Sequence, residues 1–327
     1  MKDVAKEAGV ALGTVSKVVN GLPVGEPYKS KVEEAVRRLN YQVNTYAQGL
    51  KSSRIYTVAL LIPNTFNLFF GSLTYEIHQA LANRNYHMML CCTDYHPEQE
   101  QEYITMAKQN KVDGIIALTY HSKLIIDDDI PFISIDRALG RKYPCIASDN
   151  FGGGQLAAEK LADLGCSNVA FLRIGSSLEN EPNKRKAGFE NGCLLRGLSY
   201  EEKILNDGDP FQDFVDFLDA HMENGKLAFD GIFCVTDLIA WQIVRQLRSM
   251  GLRVPEDVQV IGFDGIHMFG DQEYVCSTIV QPVRDIAETC VNLLLQEPFV
   301  STTPLICLPV TYAAGNTTRE PEKSEDK

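Results

Sequence analysis

Residues 3–21 decide the fold of the N-terminal region and read DVAKEAGVALGTVSKVVNG. Asp3 can cap a short helix, and Gly9 can end that helix because glycine readily adopts a positive φ. A second helix follows over residues 11–19, with its valines as the inward face, and Gly21 closes it. This stretch therefore predicts two short helices joined by a tight glycine turn.

A third helix is predicted over Lys29–Leu39, where four apolar residues recur at helical spacing. Two short helices joined by a tight turn, with a third that completes their core, are the helix-turn-helix plan of many DNA-binding domains. A generic small helical bundle is the alternative, because the same apolar spacing would also suit it. We assign residues 1–43 to this head.

The charge of the chain is unevenly distributed around its net value of −12. Residues 1–54 contain nine Lys/Arg and five Asp/Glu, a balance of +4, whereas the rest contains 22 and 38, a balance of −16. A basic head on an acidic body favours a nucleic-acid partner for the head. Charge alone is equally compatible with chance variation of the surface.

Length and composition narrow the class of protein. The 327 residues predict two or three domains, and 45% hydrophobic with 23% charged residues exclude disordered, collagen-like and disulfide-scaffold chains. No apolar run approaches the ~18 residues of a membrane span, and the charged start is not a secretory signal. Nine cysteines without a C-x-x-C pair favour reduced thiols and a cytoplasmic protein. The polar tail, residues 319–327, is predicted to be disordered.

From residue 55 onward, short apolar runs alternate with helical patterns, which predicts an α/β body. The strand candidates are TVALLIP, HMMLCC, GIIALT, PFISID, CIASD, NVAFLRI, GIFCV and VQVIGF. Apolar strands separated by helices indicate doubly wound parallel sheets covered on both faces. Eight such strands suggest two sheets, and so a core of two subdomains over residues 55–318. Ligands of such sheets bind beyond the carboxyl ends of the strands.

Polar and aromatic residues gather where these strands end. Carboxylates, amides and an arginine can bond to hydroxyl groups, and aromatic faces can stack on C–H surfaces. The pattern therefore favours a small polyhydroxyl ligand. A helix cap is at least as good an interpretation for three of the acids, which are Asp94, Asp149 and Asp237.

The string DVAKEAGVALGTVSKVVNG strongly resembles the DNA-binding head of the lactose-repressor (LacI) family of bacterial transcription regulators. The resemblance implies that the second helix lies in the major groove and that its first residues meet base edges. Ala11 replaces the usual capping serine, and Gly13 has no side chain with which to read a base. The implied DNA contacts in the head are Leu12, Gly13, Thr14, Ser16, Lys17 and Asn20. Thr14 and Ser16 could equally be ordinary helix surface.

Residues 41–50, YQVNTYAQGL, resemble the hinge helix of the same family. The matching positions are Asn44, Ala47 and Leu50, and we assign residues 44–54 to this hinge. The segment is shorter than the ~12–15 residues that an isolated helix needs. The resemblance implies that the hinge orders on DNA in a dimer and that Leu50 wedges into the minor groove. A plain linker with one exposed leucine is the alternative.

The body is also similar to the effector-binding core of that family and to periplasmic monosaccharide-binding proteins. The resemblance implies an N-subdomain of about 55–149 with 282–307, and a C-subdomain of about 150–281 with 308–318. Thr236 stands where the family often has asparagine, and Trp241 replaces a small residue and is expected in the core. The implied effector contacts are Asn67, Phe69, Phe70, Asp136, Arg137, Arg185, Thr236, Asp264 and Gln281.

Other chemistry has little support. Gly152-Gly153-Gly154 lacks the spacing of a dinucleotide or P-loop fingerprint and fits a loop at a helix N-terminus better. The six histidines show neither H-x-x-x-H spacing nor neighbouring cysteine pairs, so we expect no metal and no cofactor. No serine lies in a G-x-S-x-G elbow, and we expect no enzymatic activity.

These observations predict a homodimeric repressor of carbohydrate-metabolism genes, whose affinity for a pseudo-palindromic operator depends on a sugar-like effector between the subdomains. Leucine heptads typical of tetrameric relatives are missing, which favours the dimer. A solute-binding protein is the alternative, but it would need an export signal and no head. A nucleotide-using enzyme would need a glycine fingerprint after the first strand. The identity of the effector and the sign of the response stay open.

Overall fold

The computed structural model separates the chain into two compact units, Met1–Ile55 and Tyr56–Lys327. We call the first unit the head and the second unit the core. The residues that the structure describes are 1–19, 21–41, 54–119, 121, 124–127, 129–140, 142–175, 180–267, 273–299 and 304–320.

The head consists of three helices over its described part: α1 (Lys2–Ala8), α2 (Leu12–Val19) and α3 (Glu26–Arg38). Gly9 ends α1 in the left-handed conformation, at φ 62°, as the sequence predicts. The three helices close over a small apolar core. Its buried members are Val4, Ala8, Val15, Val32 and Ala35. The helix-turn-helix prediction is confirmed.

Two helix starts in the head differ from the prediction. Asp3 does not cap α1 but lies in its first turn, because the helix already begins after Met1. There its carboxylate still interacts favourably with the positive end of the helix dipole. The third helix begins three residues earlier than expected, since Gly25 occupies the N-cap and a proline follows in the first turn.

The core contains a first sheet of six parallel strands, in the order β13-β5-β4-β3-β1-β2. These strands are β1 (Thr57–Ile62), β2 (His87–Cys92), β3 (Gly114–Leu118), β4 (Phe132–Ile135), β5 (Cys145–Ser148) and β13 (Leu305–Leu308). The helices that pack on this sheet are α4 (Leu68–Ala82), α5 (Pro97–Gln109) and α10 (Val283–Leu294).

A second six-stranded sheet has the order β14-β12-β11-β10-β6-β7, and only β14 runs antiparallel to its neighbour. Its strands are β6 (Asn168–Ile174), β7 (Ser199–Leu205), β10 (Gly231–Cys234), β11 (Gln259–Asp264), β12 (Ser277–Val280) and β14 (Thr311–Ala313). Its helices are α6 (Asn150–Asp163), α7 (Lys184–Arg196), α8 (Gln212–Ala220) and α9 (Asp237–Ser249), and a short hairpin pairs β8 (Met222–Glu223) with β9 (Lys226–Leu227). The predicted doubly wound α/β core with two subdomains is therefore what the chain forms.

Close packing of α6 against α7 explains part of the glycine run. A Cβ on Gly154 would lie 2.0 Å from the backbone oxygen of Arg185, and one on Gly188 would lie 1.9 Å from that of Phe151. Only glycine allows this approach. Residues 152–154 therefore lie inside α6, not in a loop before it, and Gly154 lets α7 approach closely enough to bring Arg185 inward.

Among the described residues, no helix is both long and apolar enough to cross a lipid bilayer.

Candidate functional site

A cavity of about 140 Å³ lies at the carboxyl ends of strands from both sheets of the core. Parallel strands present their carboxyl ends on one edge, so the residues that follow several strands converge there. The lining residues are Asn67, Phe69, Phe70, Leu118, Thr119, Asp136, Arg173, Ile174, Gly175, Asn180, Pro182, Asn183, Arg185, Val235, Thr236, Asp264 and Gln281.

Eight of the nine effector residues expected from the sequence line this cavity, and Arg137 does not. Its side chain is buried and lies near Glu100, whose pKa burial raises to about 7, against the opposing effects of Thr119 and Arg137. Neighbouring residues point in different directions, and Asp136 is the member of the pair that faces the cavity. Arg137 is therefore withdrawn as a lining residue.

The guanidinium group of Arg185 is held by four contacts. Its Nε donates to Asn150 Oδ1 at 2.7 Å, and its Nη1 donates to the backbone oxygen of Val235 at 2.7 Å. The carboxylate of Asp264 lies 3.7 Å from Nη1, and the guanidinium stacks 3.6 Å above the ring of Phe263. These contacts fix a buried positive charge in one orientation, so a ligand meets a preorganised donor.

A chain of hydrogen bonds crosses from the second sheet to the first. Gln281 Nε2 donates to Asp264 Oδ1 at 2.8 Å, and Ser148 Oγ donates to Gln281 Oε1 at 2.7 Å. Asp264 has a φ of 136°, a conformation that a residue with a side chain rarely adopts and that concentrates at functional sites. Burial raises the pKa of Asp264, while Arg185 opposes that rise.

Asp136 carries a buried oxygen, Oδ1, with no hydrogen-bond partner among the described residues. Its backbone is left-handed, with a φ of 61°, and its backbone oxygen accepts from the amide of Glu181 at 2.9 Å. Burial raises the pKa of Asp136 to about 6, with Arg185 lowering it and Glu181 raising it. A buried acceptor without a donor costs about 1–3 kcal/mol, which a ligand hydroxyl would relieve.

The remaining lining residues also have structural roles. Asn67 caps α4 by accepting from the amide of Phe69 at 2.9 Å, and Thr236 caps α9 with a contact of 3.4 Å to Ile239 N. The rings of Phe69 and Phe70 meet edge to face, 5.9 Å apart. Two aromatic rings therefore line the same cavity as the charged groups.

The three acids that were also candidate helix caps have different positions in the structure. Asp149 caps α6, where its Oδ1 accepts from Gly152 N at 2.8 Å. Asp237 is fully buried, accepts from Ile266 N at 2.7 Å, and is neither a cap nor a lining residue. Asp94 lies exposed at a φ of 46° in the turn before α5, outside the lining.

Trp241 is not a core residue, contrary to the prediction. Its side chain is 40% exposed on α9, and the guanidinium of Arg245 lies 4.8 Å from its ring centroid. The helical pattern of α9 contains enough aliphatic residues to fill its inward face, so the tryptophan lies on the outward one.

Sequence reasoning missed several lining residues, most notably Arg173, Asn180 and Asn183. Arg173 is the single charged residue within the apolar run NVAFLRI, near the carboxyl end of β6. Its position at a strand end was the available signal. The asparagines lie in and beside the short turn before α7, which the apolar pattern does not mark.

On the head, the expected DNA contacts lie on α2. The side chains of Leu12 and Lys17 and the backbone of Gly13 are exposed, and Thr14 and Ser16 are partly buried. A Cβ on Gly13 would meet no atom within 4 Å, so the position is empty rather than crowded. The other four expected contacts, Asn20, Asn44, Ala47 and Leu50, lie outside the described residues.

Groups of three or more His, Cys, Asp or Glu side chains that could hold a metal ion do not occur in the described part of the chain.

Comparison with known proteins identifies the class. Residues 1–44 match the model of bacterial regulatory proteins of the lacI family, and residues 158–300 match the periplasmic binding protein-like domain. The chain is 34% identical over 303 residues to the sucrose operon repressor of Pediococcus pentosaceus. The aligned region covers 90% of this chain and 91% of that repressor.

Solved structures share the fold. One of them is a periplasmic binding protein/LacI transcriptional regulator from Alkaliphilus metalliredigens in complex with D-xylulofuranose. It is 26% identical to this chain and has a TM-score of 0.70, and the match covers 81% of this chain and 100% of that chain. The Lac repressor dimer bound to operator and an anti-inducer is 22% identical, with a TM-score of 0.80 over 97% and 98% of the two chains. The protein belongs to the lacI family of bacterial regulatory proteins. It is thus a DNA-binding transcriptional regulator and not an enzyme.

Proposed function

We propose that the cavity binds a sugar-like effector and that its occupancy controls the affinity of the head for operator DNA. The observation that carries the proposal is the unpaired Oδ1 of Asp136, in a cavity that also presents the fixed guanidinium of Arg185. Carboxylate, amide and guanidinium groups beside two phenylalanine rings suit a compact ligand with several hydroxyls. The relatives support this class, since one is named for a sucrose operon and another was solved with a pentulose.

The head is the DNA-binding part of this proposal. Leu12 can contact a thymine methyl group, and Lys17 can contact a guanine edge or a phosphate. Gly13 leaves one reading position without a side chain, so the sequence preference of α2 depends on its neighbours. Leu50 remains the predicted minor-groove wedge.

Coupling between the effector cavity and the DNA-binding head would depend on the contacts between the two sheets. We infer an N-subdomain of about 55–149 with 282–307 and a C-subdomain of about 150–281 with 308–318. The bonds from Ser148 through Gln281 to Asp264 join the two sheets at the cavity. A ligand that competes for these groups shifts that junction, and linkage requires that operator changes effector affinity by the same factor.

We further propose a cytoplasmic homodimer that represses carbohydrate-metabolism genes at a pseudo-palindromic operator. The Lac repressor, which shares the fold, was solved as a dimer on its operator. Helix α4 exposes Leu68 and Tyr75 on one face, and isologous burial of such a face is the usual basis of a two-fold dimer.

A thermal-shift screen of the full chain against monosaccharides, their phosphates and nucleosides tests the effector proposal. A ligand at 100 times its Kd stabilises the folded protein by ~2.7 kcal/mol, which raises the Tm by several degrees. A matched Arg185→Gln variant should lose the shift of any ligand found. No shift for any sugar-type compound, with nucleosides active instead, would contradict a sugar-like effector.

A further inference from the structure

Two arginines line the cavity, and of these Arg185 was expected there and Arg173 was not. Arg173 is the penultimate residue of β6, and its side chain is 9% exposed. A Cβ on Gly175 would lie 3.8 Å from Nη2 of Arg173, which places the guanidinium beside a lining residue. Arg173 therefore brings a second positive charge to the cavity wall.

The two guanidinium groups have different surroundings. Arg185 is tied to Asn150, to the backbone of Val235 and to Asp264. Burial lowers the pKa of Arg173, and the like charge of Arg185 lowers it further. The exposed Asp207 opposes both effects from outside the lining.

The wall of the cavity contains acids as well as arginines. The cavity has two lining carboxyl groups, Asp136 and Asp264, and burial raises the pKa of both. Arginine stays protonated under all ordinary conditions, even with a lowered pKa. Asp264 lies 3.7 Å from Nη1 of Arg185, so one of these two acids is engaged with that arginine. An arginine also presents a planar fork of donors that matches phosphate and carboxylate oxygens.

We propose that the effector carries an anionic group, a phosphate monoester or a carboxylate, and that Arg173 binds this group while Arg185 and Asp136 bind the sugar hydroxyls. This inference rests on the proposed effector role of the cavity and narrows it to an acidic sugar derivative. Asn180 and Asn183 line the same cavity and can donate further hydrogen bonds to such oxygens.

The experiment measures binding to the full-length protein by calorimetry at constant ionic strength. The probes are glucose 6-phosphate, fructose 6-phosphate and ribose 5-phosphate, the three parent sugars, gluconate, and inorganic phosphate alone. The test variants are Arg173→Gln, which removes the charge, and Arg173→Lys, which keeps it without the fork. Arg253→Gln is the control, because Arg253 is an exposed residue that pairs with Asp257 and lies outside the lining.

We expect at least one acidic sugar to bind ~10-fold or more tightly than its neutral parent, since charge-assisted bonds are about twice as strong as neutral ones. Arg173→Gln should abolish that preference and leave the affinity for the parent sugar within ~3-fold. Arg173→Lys should retain part of it, and Arg253→Gln all of it. Comparable tight binding of inorganic phosphate alone would mean an anion site without sugar recognition and would overturn the proposal.

Three further results would also overturn the inference, and they differ in what they imply. If a neutral sugar binds and no acidic one does, the anionic class is wrong while the effector proposal survives. If no probe binds at all, both fail. Equal preference for an acidic sugar in wild type and Arg173→Gln would remove Arg173 from the site. A folded Arg173→Lys variant keeps the test valid if Arg173→Gln does not fold.

Discussion

The head and the core use their side chains in opposite ways. In the head, five small apolar residues form the buried core, while Leu12 and Lys17 face outward. In the core, the groups of the cavity are themselves buried, and Arg185 and Asp264 are held by the packing around them. The comparison teaches that DNA contacts can change with little effect on stability, whereas a change in the cavity alters stability as well as binding.

The largest expected effect is on the core. Phe189 is fully buried, with its ring centroid 5.0 Å from that of Phe233 and 5.9 Å from that of Phe171. Phe189→Ala should cost ~3–5 kcal/mol of unfolding free energy, because it leaves a cavity in an aromatic cluster. Calorimetry should show the core transition shifted down and DNA binding by the head retained at low temperature.

A matched control lies on the same helix. Leu194 on α7 is 79% exposed, so Leu194→Ala should change stability by no more than ~0.5 kcal/mol. Similar losses for the two variants would mean that the aromatic cluster does not stabilise the core.

A substitution in the core of the head should have a smaller effect on stability than Phe189→Ala. Val15→Ala removes two buried methyl groups and should cost ~2 kcal/mol, a large fraction of the stability of so small a core. DNA binding should fall while effector binding by the core is unchanged. Leu12→Ala, at an exposed position, should alter the DNA sequence preference with the head still folded. Loss of effector binding in Val15→Ala would contradict the separation of the two units.

We expect the pH dependence of stability to arise from buried acids of the core. Burial raises the pKa of Asp136 to about 6 and that of Glu100 to about 7. The folded state then binds these protons more tightly than the unfolded chain, where carboxyl groups titrate near ~4. The stability that these two protonated acids contribute is fully present below pH ~4 and is lost as the pH rises through 6 and 7.

We therefore expect the Tm of the core to fall between pH 5 and pH 8, as measured by differential scanning fluorimetry. Glu100→Gln should flatten the curve, because the amide keeps the shape and has no proton to lose. The described part of the head buries no carboxylate, so its transition should move less. A Tm that rises over this interval would show that these acids are not buried as described.

The smallest effect concerns salt. A protein that neutralises phosphates loses affinity linearly in log salt, with a slope of about −0.9 per phosphate contact. Lys17→Ala should reduce that slope by about 1 if Lys17 contacts a phosphate, and leave it unchanged if Lys17 reads only a base. Titrations at several salt concentrations distinguish the two roles, and a salt-independent affinity in wild type would contradict electrostatic binding by the head.

The sequence predicted most of the fold because burial leaves a clear pattern. All eight apolar runs are strands, and the three helices of the head were recognised from periodicity and glycine. The edge strand β7 was missed since SYEEKIL is mostly polar. Helix α7 was also missed, because its buried positions include Arg185 and the glycines at its contact with α6.

The candidate site was less predictable for a physical reason. A sequence shows which residues follow a strand but not which way each side chain points. Arg137 turns away beside Glu100, while Arg173 reaches the cavity from within a strand. Trp241 illustrates the same limit, since its position on the outward face of α9 depends on which residues fill the inward face.

Operator affinity with and without a bound effector is the most direct test of whether the cavity controls the head. The operator is selected from random DNA with the full-length protein, and the effector is the compound with the largest thermal shift. We expect operator affinity to change by ~5–150-fold, the coupling of ~1–3 kcal/mol typical of allosteric proteins. Effector affinity should change by the same factor when operator is bound, and operator affinity should not respond to effector in Arg185→Gln. An operator affinity that is identical with and without saturating effector would contradict the claim that the cavity controls the head.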